Sequence, residues 1–299
     1  MTNQNTSLPA SISIILPSKN EGAALIDLLP ELRRLHPAAE IIVVDDGSED
    51  DTPQICQENA VVHIRHPYSK GNGAAIKSGA LAASGEYLVM MDADGQHPPD
   101  AITTMIEKLD SGYDMVVAAR DASSQASLAR GIANSLYNKL ASMLTGQKVV
   151  DLTSGMRAVK AKYFRQFLPI LPNGFSYPST ITMAFFRSGY NVAYTPIAAR
   201  KRIGKSHIRP LQDGIRFLLI IFKLTTLYSP LKIFFPVALL QAFLGFSYYT
   251  YTYLSDGRFT NMGVTLVLSA ITIFLIGLVS EQMTMLLYAR LPTDKEAEH

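Results

Sequence analysis

Two long apolar stretches near the C-terminus constrain the fold of this chain most strongly. Ile233–Ser255 and Phe259–Ser280 contain no charged residue. As helices that rise ~1.5 Å per residue, each would reach about 30 Å, which is enough to cross the hydrocarbon core of a bilayer. Only a short turn with Asp256 and Arg258 separates them. We therefore predict a transmembrane hairpin, with a pair of buried core helices as the alternative.

The charge pattern around these stretches predicts their orientation. Basic residues crowd the chain just before the first stretch: Arg200, Lys201, Arg202, Lys205, Arg209, Arg216, Lys223 and Lys232. Positively charged flanks of membrane spans stay in the cytoplasm, so we expect the preceding residues and both termini there. Cys56 is the single cysteine, which fits a reducing compartment. The net charge of +2 gives no indication of a nucleic-acid partner, and we predict none.

The segment that leads into the first stretch has an amphipathic pattern. Apolar residues at helical spacing are Leu211, Ile215, Leu218, Leu219 and Phe222, opposite a strip with Asp213, Arg216 and Lys223. Such a pattern is typical of a helix that lies in the membrane interface. We predict this helix over Leu211–Tyr228, and a helix packed on a soluble domain is the alternative.

The first 200 residues alternate short apolar runs with helical patterns. The runs predict strands at Ser11–Leu16, Glu40–Asp45, Ala60–Ile64, Tyr87–Asp92 and Asp114–Ala119. The segments between them predict helices at Glu21–Leu35, Asp51–Asn59, Gly73–Ala83 and Pro99–Leu109. This alternation indicates βαβ units, and the continuous apolar runs indicate an α/β fold with a mostly parallel sheet flanked by helices. Further elements are predicted at Leu128–Leu144 (helix), Gly155–Val159 (strand), Ser179–Arg187 (helix) and Asn191–Ala199 (extended).

The sequence VMMDADGQH, Val89–His97, carries acidic residues at the end of the predicted fourth strand. Alternate side chains of an extended chain point to the same side, so Asp92 and Asp94 should face one ligand. Carboxylates near a diphosphate suit Mg²⁺ or Mn²⁺, and Gln96 would add a carbonyl oxygen. We predict a metal site at these three residues. His97 beside them is a ligand, a base or a turn cap.

Two other predicted strands deliver polar residues to the same edge. Asp45 and Asp46 end the second strand, and Pro17-Ser18-Lys19-Asn20-Glu21 follows the first. Because ligands of parallel α/β sheets bind beyond the carboxyl ends of the strands, we expect one crevice. Asp45 or Asp46 would hydrogen-bond a ribose or a base there, and a turn before the next helix is the alternative.

Four segments together resemble the inverting family-2 glycosyltransferases with the GT-A fold: LPSKNEGAAL, IIVVDDGSEDDT, SKGNGAAIKSGALAASGEYLVMMDADGQHPP and DLTSGMRAV. The resemblance covers about Ile12 to Lys205. Within that family, the chain most resembles the polyprenyl-phosphate (dolichol-phosphate-type) mannosyl- and glucosyltransferases. The resemblance implies a Rossmann-like GT-A domain. It also implies that the donor is bound by Pro17, Asn20, Glu21, Asp46 and Asp92.

The resemblance further implies roles for basic residues. Lys70 and Gly71, which open a helix, would lie near the donor, although a Gly-rich helix start is the alternative. Arg120 and Arg130 would grip the acceptor's phosphate. With Asp92 and Asp94 they are the candidate catalytic residues.

The basic loop 200–207 has two interpretations. The resemblance implies that Arg202 and Lys205 contact the donor diphosphate, without settling which basic residue does so. Alternatively, the loop anchors to anionic lipid head groups. Both interpretations can hold together.

The implied function is inverting transfer of a hexose from GDP-mannose or UDP-glucose to a polyprenyl phosphate, with Mg²⁺ or Mn²⁺ as cofactor. The expected partners are the nucleotide-sugar, the polyprenyl phosphate and the bilayer; a homo-oligomer is left open. Alternatives are another lipid acceptor, a processive polysaccharide synthase and a non-catalytic membrane scaffold. The expected domains are a cytoplasmic GT-A domain at 1–205, an amphipathic helix at 206–230, a hairpin at 231–290 and a cytoplasmic tail at 291–299.

Overall fold

The computed structural model describes residues 11–120, 128–198, 222, 226, 228–258 and 260–290, without the side chains of 128–133 and 256. The described residues fall into two compact units, residues 11–198 and residues 222–290. The basic loop 200–207, the tail at 291–299 and most of the predicted amphipathic helix Leu211–Tyr228 lie outside the described residues. They remain predictions.

The first unit is built on a seven-stranded sheet with the order β3-β2-β1-β4-β6-β5-β7. The strands are β1 (Ile12–Ser18), β2 (Glu40–Asp45), β3 (Val62–Arg65), β4 (Tyr87–Met90), β5 (Met115–Arg120), β6 (Arg157–Lys160) and β7 (Val192–Ile197). Strand β6 is antiparallel to β4 and β5, and the other pairs are parallel. The predicted α/β class with a mostly parallel sheet is confirmed.

Helices cover the sheet where the sequence has helical periodicity. They are α1 (Gly22–Leu35), α2 (Thr52–Glu58), α3 (Asn72–Ala82), α4 (Ala101–Asp110), α5 (Leu128–Thr145), α6 (Ala161–Gln166) and α7 (Tyr177–Arg187). In α1 the leucines Leu25, Leu28, Leu29 and Leu32 recur every three or four residues and are buried. Each contributes about 1.5–3 kcal/mol by leaving water, so the apolar face fixes the helix on the sheet.

The packing of α3 on the sheet requires a residue without a side chain. Gly79 in α3 faces β1, and a Cβ there would lie 2.4 Å from Cγ2 of Ile15. Ile15 is fully buried and cannot easily yield. This close approach brings the start of α3 to the carboxyl edge of the sheet, where the polar residues collect.

The fourth strand is shorter than predicted. The register of β4 against β1 ends with the pair Ile15 and Met90, so the strand stops there and not at Asp92. Asp92 and Asp94 lie in the turn that follows. The alternation of an extended strand therefore does not explain how these two carboxylates are arranged.

The second unit is a helical hairpin of α8 (Leu231–Asp256) and α9 (Asn261–Ala289). Both helices are long and apolar enough to cross a membrane, and only 11% and 17% of their most apolar windows are buried within the protein. Core helices of a soluble protein would be mostly buried. The helices approach closely at Gly277, where a Cβ would lie 2.6 Å from Cβ of Phe234.

The first prediction concerns the packing of α3. We expect Gly79→Ala to lower the free energy of unfolding by about 1–2 kcal/mol, because overpacking against Ile15 outweighs the gain in helix propensity. The midpoint of thermal unfolding of the detergent-solubilised chain measures this. Leu81→Ala is the control, since Leu81 lies in the same helix and is 70% exposed. An unchanged midpoint for Gly79→Ala would contradict the packing described.

Candidate functional site

A cavity of about 700 Å³ lies at the carboxyl ends of β1, β2 and β3. Its lining residues are Lys19, Gly47, Ser48, Glu49, Arg65, His66, Pro67, Tyr68 and Ser69. The predicted donor residues Asn20 and Glu21 follow Lys19 in the chain. Arg65, His66 and Tyr68 were not singled out from the sequence. The signal was present, because the polar run RHPYSK directly follows an apolar strand.

Asn20 joins two of the loops at this cavity. Its backbone N–H donates to Oγ of Ser48 at 3.0 Å, and its side-chain oxygen accepts from N of Glu49 at 2.8 Å. Asn20 has a φ of 55°, a left-handed conformation that Asn adopts more readily than most residues. Pro17 lies one strand position before the buried Ser18 in β1. Asn20, which the resemblance implies as a donor-binding residue, therefore shapes one wall of this cavity.

Asp46 is buried and accepts four hydrogen bonds from the loop after β3. The backbone N–H groups of Lys70 and Gly71 each donate at 2.8 Å, the hydroxyl of Ser69 at 2.7 Å, and Nδ1 of His66 lies 2.8 Å from Oδ1. Burial alone would raise the pKa of Asp46, but these hydrogen bonds hold the pKa below its ordinary value. Asp46 is thus a fixed anion that organises the loop.

The start of α3 is consequently occupied from within the protein. The amides of Lys70 and Gly71 bind Asp46, and the amide of Ala74 donates to the carbonyl of Asn173 at 3.0 Å. Two of the backbone donors that this helix N-terminus would offer to a phosphate, at Gly71 and Ala74, are therefore already used. The side-chain ammonium of Lys70 takes no part in these bonds to Asp46 and lies 5.7 Å from the ring centre of Tyr68. A donor contact by Lys70 would therefore use the side chain.

Asp92 is held from three sides. Nε2 of His97 and Nδ2 of Asn72 each lie 3.4 Å from one of its oxygens, and a Cβ on Gly155 would lie 2.1 Å from Oδ2. Burial alone would raise the pKa of Asp92, but His97, Asn72 and the charge of Arg120 lower it. The carboxylate is 37% exposed and ionised, so it is available to a cation.

Asp94 and Gln96 complete the predicted metal site. Oδ1 of Asp94 accepts from the backbone N–H of Gln96 at 3.1 Å, within the turn after β4. Across the part of the chain that the structure describes, no three His, Cys, Asp or Glu residues cluster as a metal cage would. Two carboxylates with hard oxygen atoms fit Mg²⁺ or Mn²⁺ that takes its other ligands from a diphosphate and water.

Arg120 is fixed by a two-pronged ion pair. Its Nε and Nη2 donate to the two oxygens of Asp151 at 2.9 and 3.1 Å, and Nη2 also donates to Oγ1 of Thr153 at 2.8 Å. Burial would raise the pKa of Asp151, but Arg120 holds that pKa below its usual range. Among the described residues, Nη1 has no hydrogen-bond partner.

Asp92, Asp94 and Arg120 are not among the residues that line the cavity at β1, β2 and β3, and three further predicted residues cannot be placed. Arg130 lies in α5, but its side chain is outside the described residues, as are Arg202 and Lys205 entirely.

Comparison with known proteins identifies the family. The profile of glycosyl transferase family 2 matches residues 13–168, and that of the GtrB C-terminal hairpin matches residues 229–286. The first match covers more than half of the chain. The chain belongs to glycosyl transferase family 2. This enzyme also carries two apolar helices that match a hairpin family, which indicates a membrane protein.

Two curated relatives of this glycosyltransferase have names that include a polyprenyl phosphate. A dolichyl-phosphate hexose transferase from Haloferax volcanii is 29% identical over 68% of this chain and 89% of that protein. An undecaprenyl-phosphate 4-deoxy-4-formamido-L-arabinose transferase from Klebsiella pneumoniae is 32% identical over 55% of this chain. The glycosyltransferase spans only about half of the latter protein, 56% of its length.

The fold has solved relatives. Glucosyl-3-phosphoglycerate synthase from Mycobacterium tuberculosis, in complex with Mn²⁺ and UDP-glucose, matches with a TM-score of 0.59 at 22% identity. The match covers 72% of this chain and 78% of that one. At this identity the likeness concerns the GT-A fold, as predicted.

The second prediction tests the wall of the site. Gly155→Ala would place a methyl group 2.1 Å from Oδ2 of Asp92, so the carboxylate or the turn must move. A shift of about 1 Å in a catalytic group costs roughly a hundredfold in rate. We expect kcat/KM of sugar transfer to fall by about that factor. Gly174→Ala is the matched control, because a Cβ there meets nothing within 4 Å. Equal activity of the two variants would refute this role of Gly155.

Proposed function

We propose that this glycosyltransferase transfers a hexose from a nucleotide-diphosphate sugar to a polyprenyl phosphate, with inversion and with a divalent cation. The observation that carries the proposal is that the acidic turn after β4 lies near Arg120, whose charge acts on Asp92. The turn after β4 holds Asp92 and Asp94, which suit a cation beside a diphosphate. Arg120, held by Asp151, supplies a fixed positive charge near these carboxylates.

The chain between Asp151 and Asp213 contains no Asp or Glu. It contains ten basic residues: Arg157, Lys160, Lys162, Arg165, Arg187, Arg200, Lys201, Arg202, Lys205 and Arg209. A hydroxyl acceptor needs a general base to accept its proton, and carboxylates commonly serve as one. A phosphate monoester is already anionic at neutral pH. This segment therefore favours a phosphate acceptor over the hydroxyl of a diacylglycerol or a protein.

Both curated relatives named above act, by their names, on polyprenyl phosphates, and their sugars differ. This supports the acceptor class, whereas the sugar needs its own test. The two apolar helices fit an acceptor that stays in the bilayer. The basic residues before α8 support the proposal that the catalytic unit is cytoplasmic.

The residues of the crevice perform the transfer mainly by positioning and by charge. Asp92 and Asp94 would hold Mg²⁺ or Mn²⁺ with Gln96 nearby, and the bound cation would neutralise the leaving diphosphate as a Lewis acid. Arg120, immobilised by Asp151, would present Nη1 to the incoming phosphate. A phosphate oxygen then bonds to the anomeric carbon as the bond from that carbon to the diphosphate breaks. A single in-line displacement inverts that centre.

Two alternatives from the sequence can be weighed. A processive polysaccharide synthase of this superfamily carries a QxxRW-type motif, and this sequence has no Trp. A non-catalytic scaffold would have no need of a fixed arginine and an ionised Asp92 in one crevice. The hypothesis of a catalytic protein therefore has more support than that of a scaffold. Substitution of Asp94 distinguishes these two hypotheses directly.

The third prediction tests the reaction. Membranes that contain the chain are incubated with radiolabelled GDP-mannose or UDP-glucose, polyprenyl phosphate and Mn²⁺ or Mg²⁺. We expect labelled lipid in the organic phase from one donor only, and a loss of about a hundredfold or more in Asp94→Asn.

Asp27→Asn serves as the control, because Asp27 lies on the exposed face of α1. Labelled lipid from neither donor would refute the assignment of these hexose donors. Full activity of Asp94→Asn would remove Asp94 from the mechanism.

A further inference from the structure

We propose that Arg157 is a positioning residue that holds the turn 153–156 against Asp92 and gives the crevice a fixed positive charge. The proposal rests on the function above, because it assumes that the crevice binds a nucleotide diphosphate. Sequence patterns gave no role to Arg157. The structure indicates this role by three features of Arg157: its burial, its hydrogen bonds and the lack of a contacting carboxylate among the described residues.

Arg157 lies in the middle of the sheet. In β6 it pairs with Met90 of β4 on one side and Val117 of β5 on the other. The first of these neighbours lies two residues before Asp92, and the second lies three before Arg120. The side chain of Arg157 is fully buried. It therefore sits beneath the edge at which both groups enter the crevice.

The guanidinium of Arg157 joins α7 to the turn that precedes β6. Nη1 donates to the carbonyl of Pro178 at 2.7 Å and to Oγ1 of Thr182 at 3.0 Å, both in α7. Nη2 donates to the carbonyl of Ser154 at 2.5 Å. Ser154 directly precedes Gly155, the residue that touches Asp92. The two terminal nitrogens of Arg157 thus fix the position of this turn against the carboxylate of Asp92.

The charge of Arg157 is not neutralised by contact. Within the described residues it forms no ion pair, and Nε has no hydrogen-bond partner. The ring of Tyr177 lies 5.7 Å from the guanidinium carbon, which gives only a weak cation–π contact. Asp151, the acidic residue of the adjoining turn, is already paired with Arg120.

An unpaired buried cation is costly, and its field is little screened by water. Asp151 and Asp92 are carboxylates close enough to interact with this charge through space. An anion that enters the crevice above Asp92 would feel it too. Arg157 would therefore favour a diphosphate there without touching it.

The experiment compares three variants of the full chain in detergent. Arg157→Met removes both fork and charge, Arg157→Lys keeps the charge, and Lys160→Met is the matched control. Lys160 lies in the same strand and pairs with Asp114 at the opposite edge of the sheet. Calorimetry measures the binding of GDP and of UDP with Mn²⁺, and thermal unfolding verifies the fold.

We expect Arg157→Met to weaken nucleotide binding about tenfold or more, Arg157→Lys to recover part of it, and Lys160→Met to bind as the wild type does. Wild-type binding by a folded Arg157→Met would overturn the proposal. So would equal loss in Arg157→Lys and Arg157→Met, because the charge would then have no effect.

Arg157→Met could fail to fold, so Thr182→Val provides a second route. It removes one acceptor of Nη1 and leaves the charge in place, and we expect binding to weaken about threefold. If Thr182→Val and Arg157→Lys both bind as the wild type does, the proposal is also overturned. Failure of the wild type to bind either nucleotide would contradict the proposed function itself, a result distinct from these.

Discussion

Repulsion between negative groups is the constraint on which the rest of this structure depends. A diphosphate, an acceptor phosphate and the carboxylates of Asp92 and Asp94 would have to share one edge of one sheet. At 4 Å two like charges repel by about 4 kcal/mol when the effective dielectric constant is near 20. The fold meets this constraint with fixed cations, since Arg120 and Arg157 are each held by hydrogen bonds within the protein.

The same constraint bears on part of the start of α3, where amides are already used within the protein. Asp46 already supplies an anion to the amides of Lys70 and Gly71, so a phosphate placed on those amides would face a buried carboxylate. Under the proposed function the donor diphosphate would bind at the turn after β4. The close contact of Gly155 with Asp92 then matters, because it fixes one wall of that turn.

Much of this architecture was predictable from local patterns. Apolar runs and helical periodicity gave the strands, the helices and the hairpin, because each depends on nearby residues. The acidic turn could be predicted as a candidate site, but its conformation could not, since the end of β4 at Met90 depends on its register with β1 and β6. The contacts of Asp46 and Arg120 depend on partners twenty or more residues away in the chain, His66 and Asp151 among them. No local signal marks such pairs. Arg157 was missed because a buried cation looks like any other arginine in a sequence.

The most direct test of the central claim is electron paramagnetic resonance of Mn²⁺ bound to the full chain with GDP or UDP. The account predicts that one of the nucleotides gives bound Mn²⁺ with hyperfine coupling to phosphorus, and that Asp94→Asn abolishes this signal. Bound Mn²⁺ without phosphorus coupling, or a signal that Asp94→Asn leaves unchanged, would contradict the claim that the turn after β4 holds a cation against the donor diphosphate.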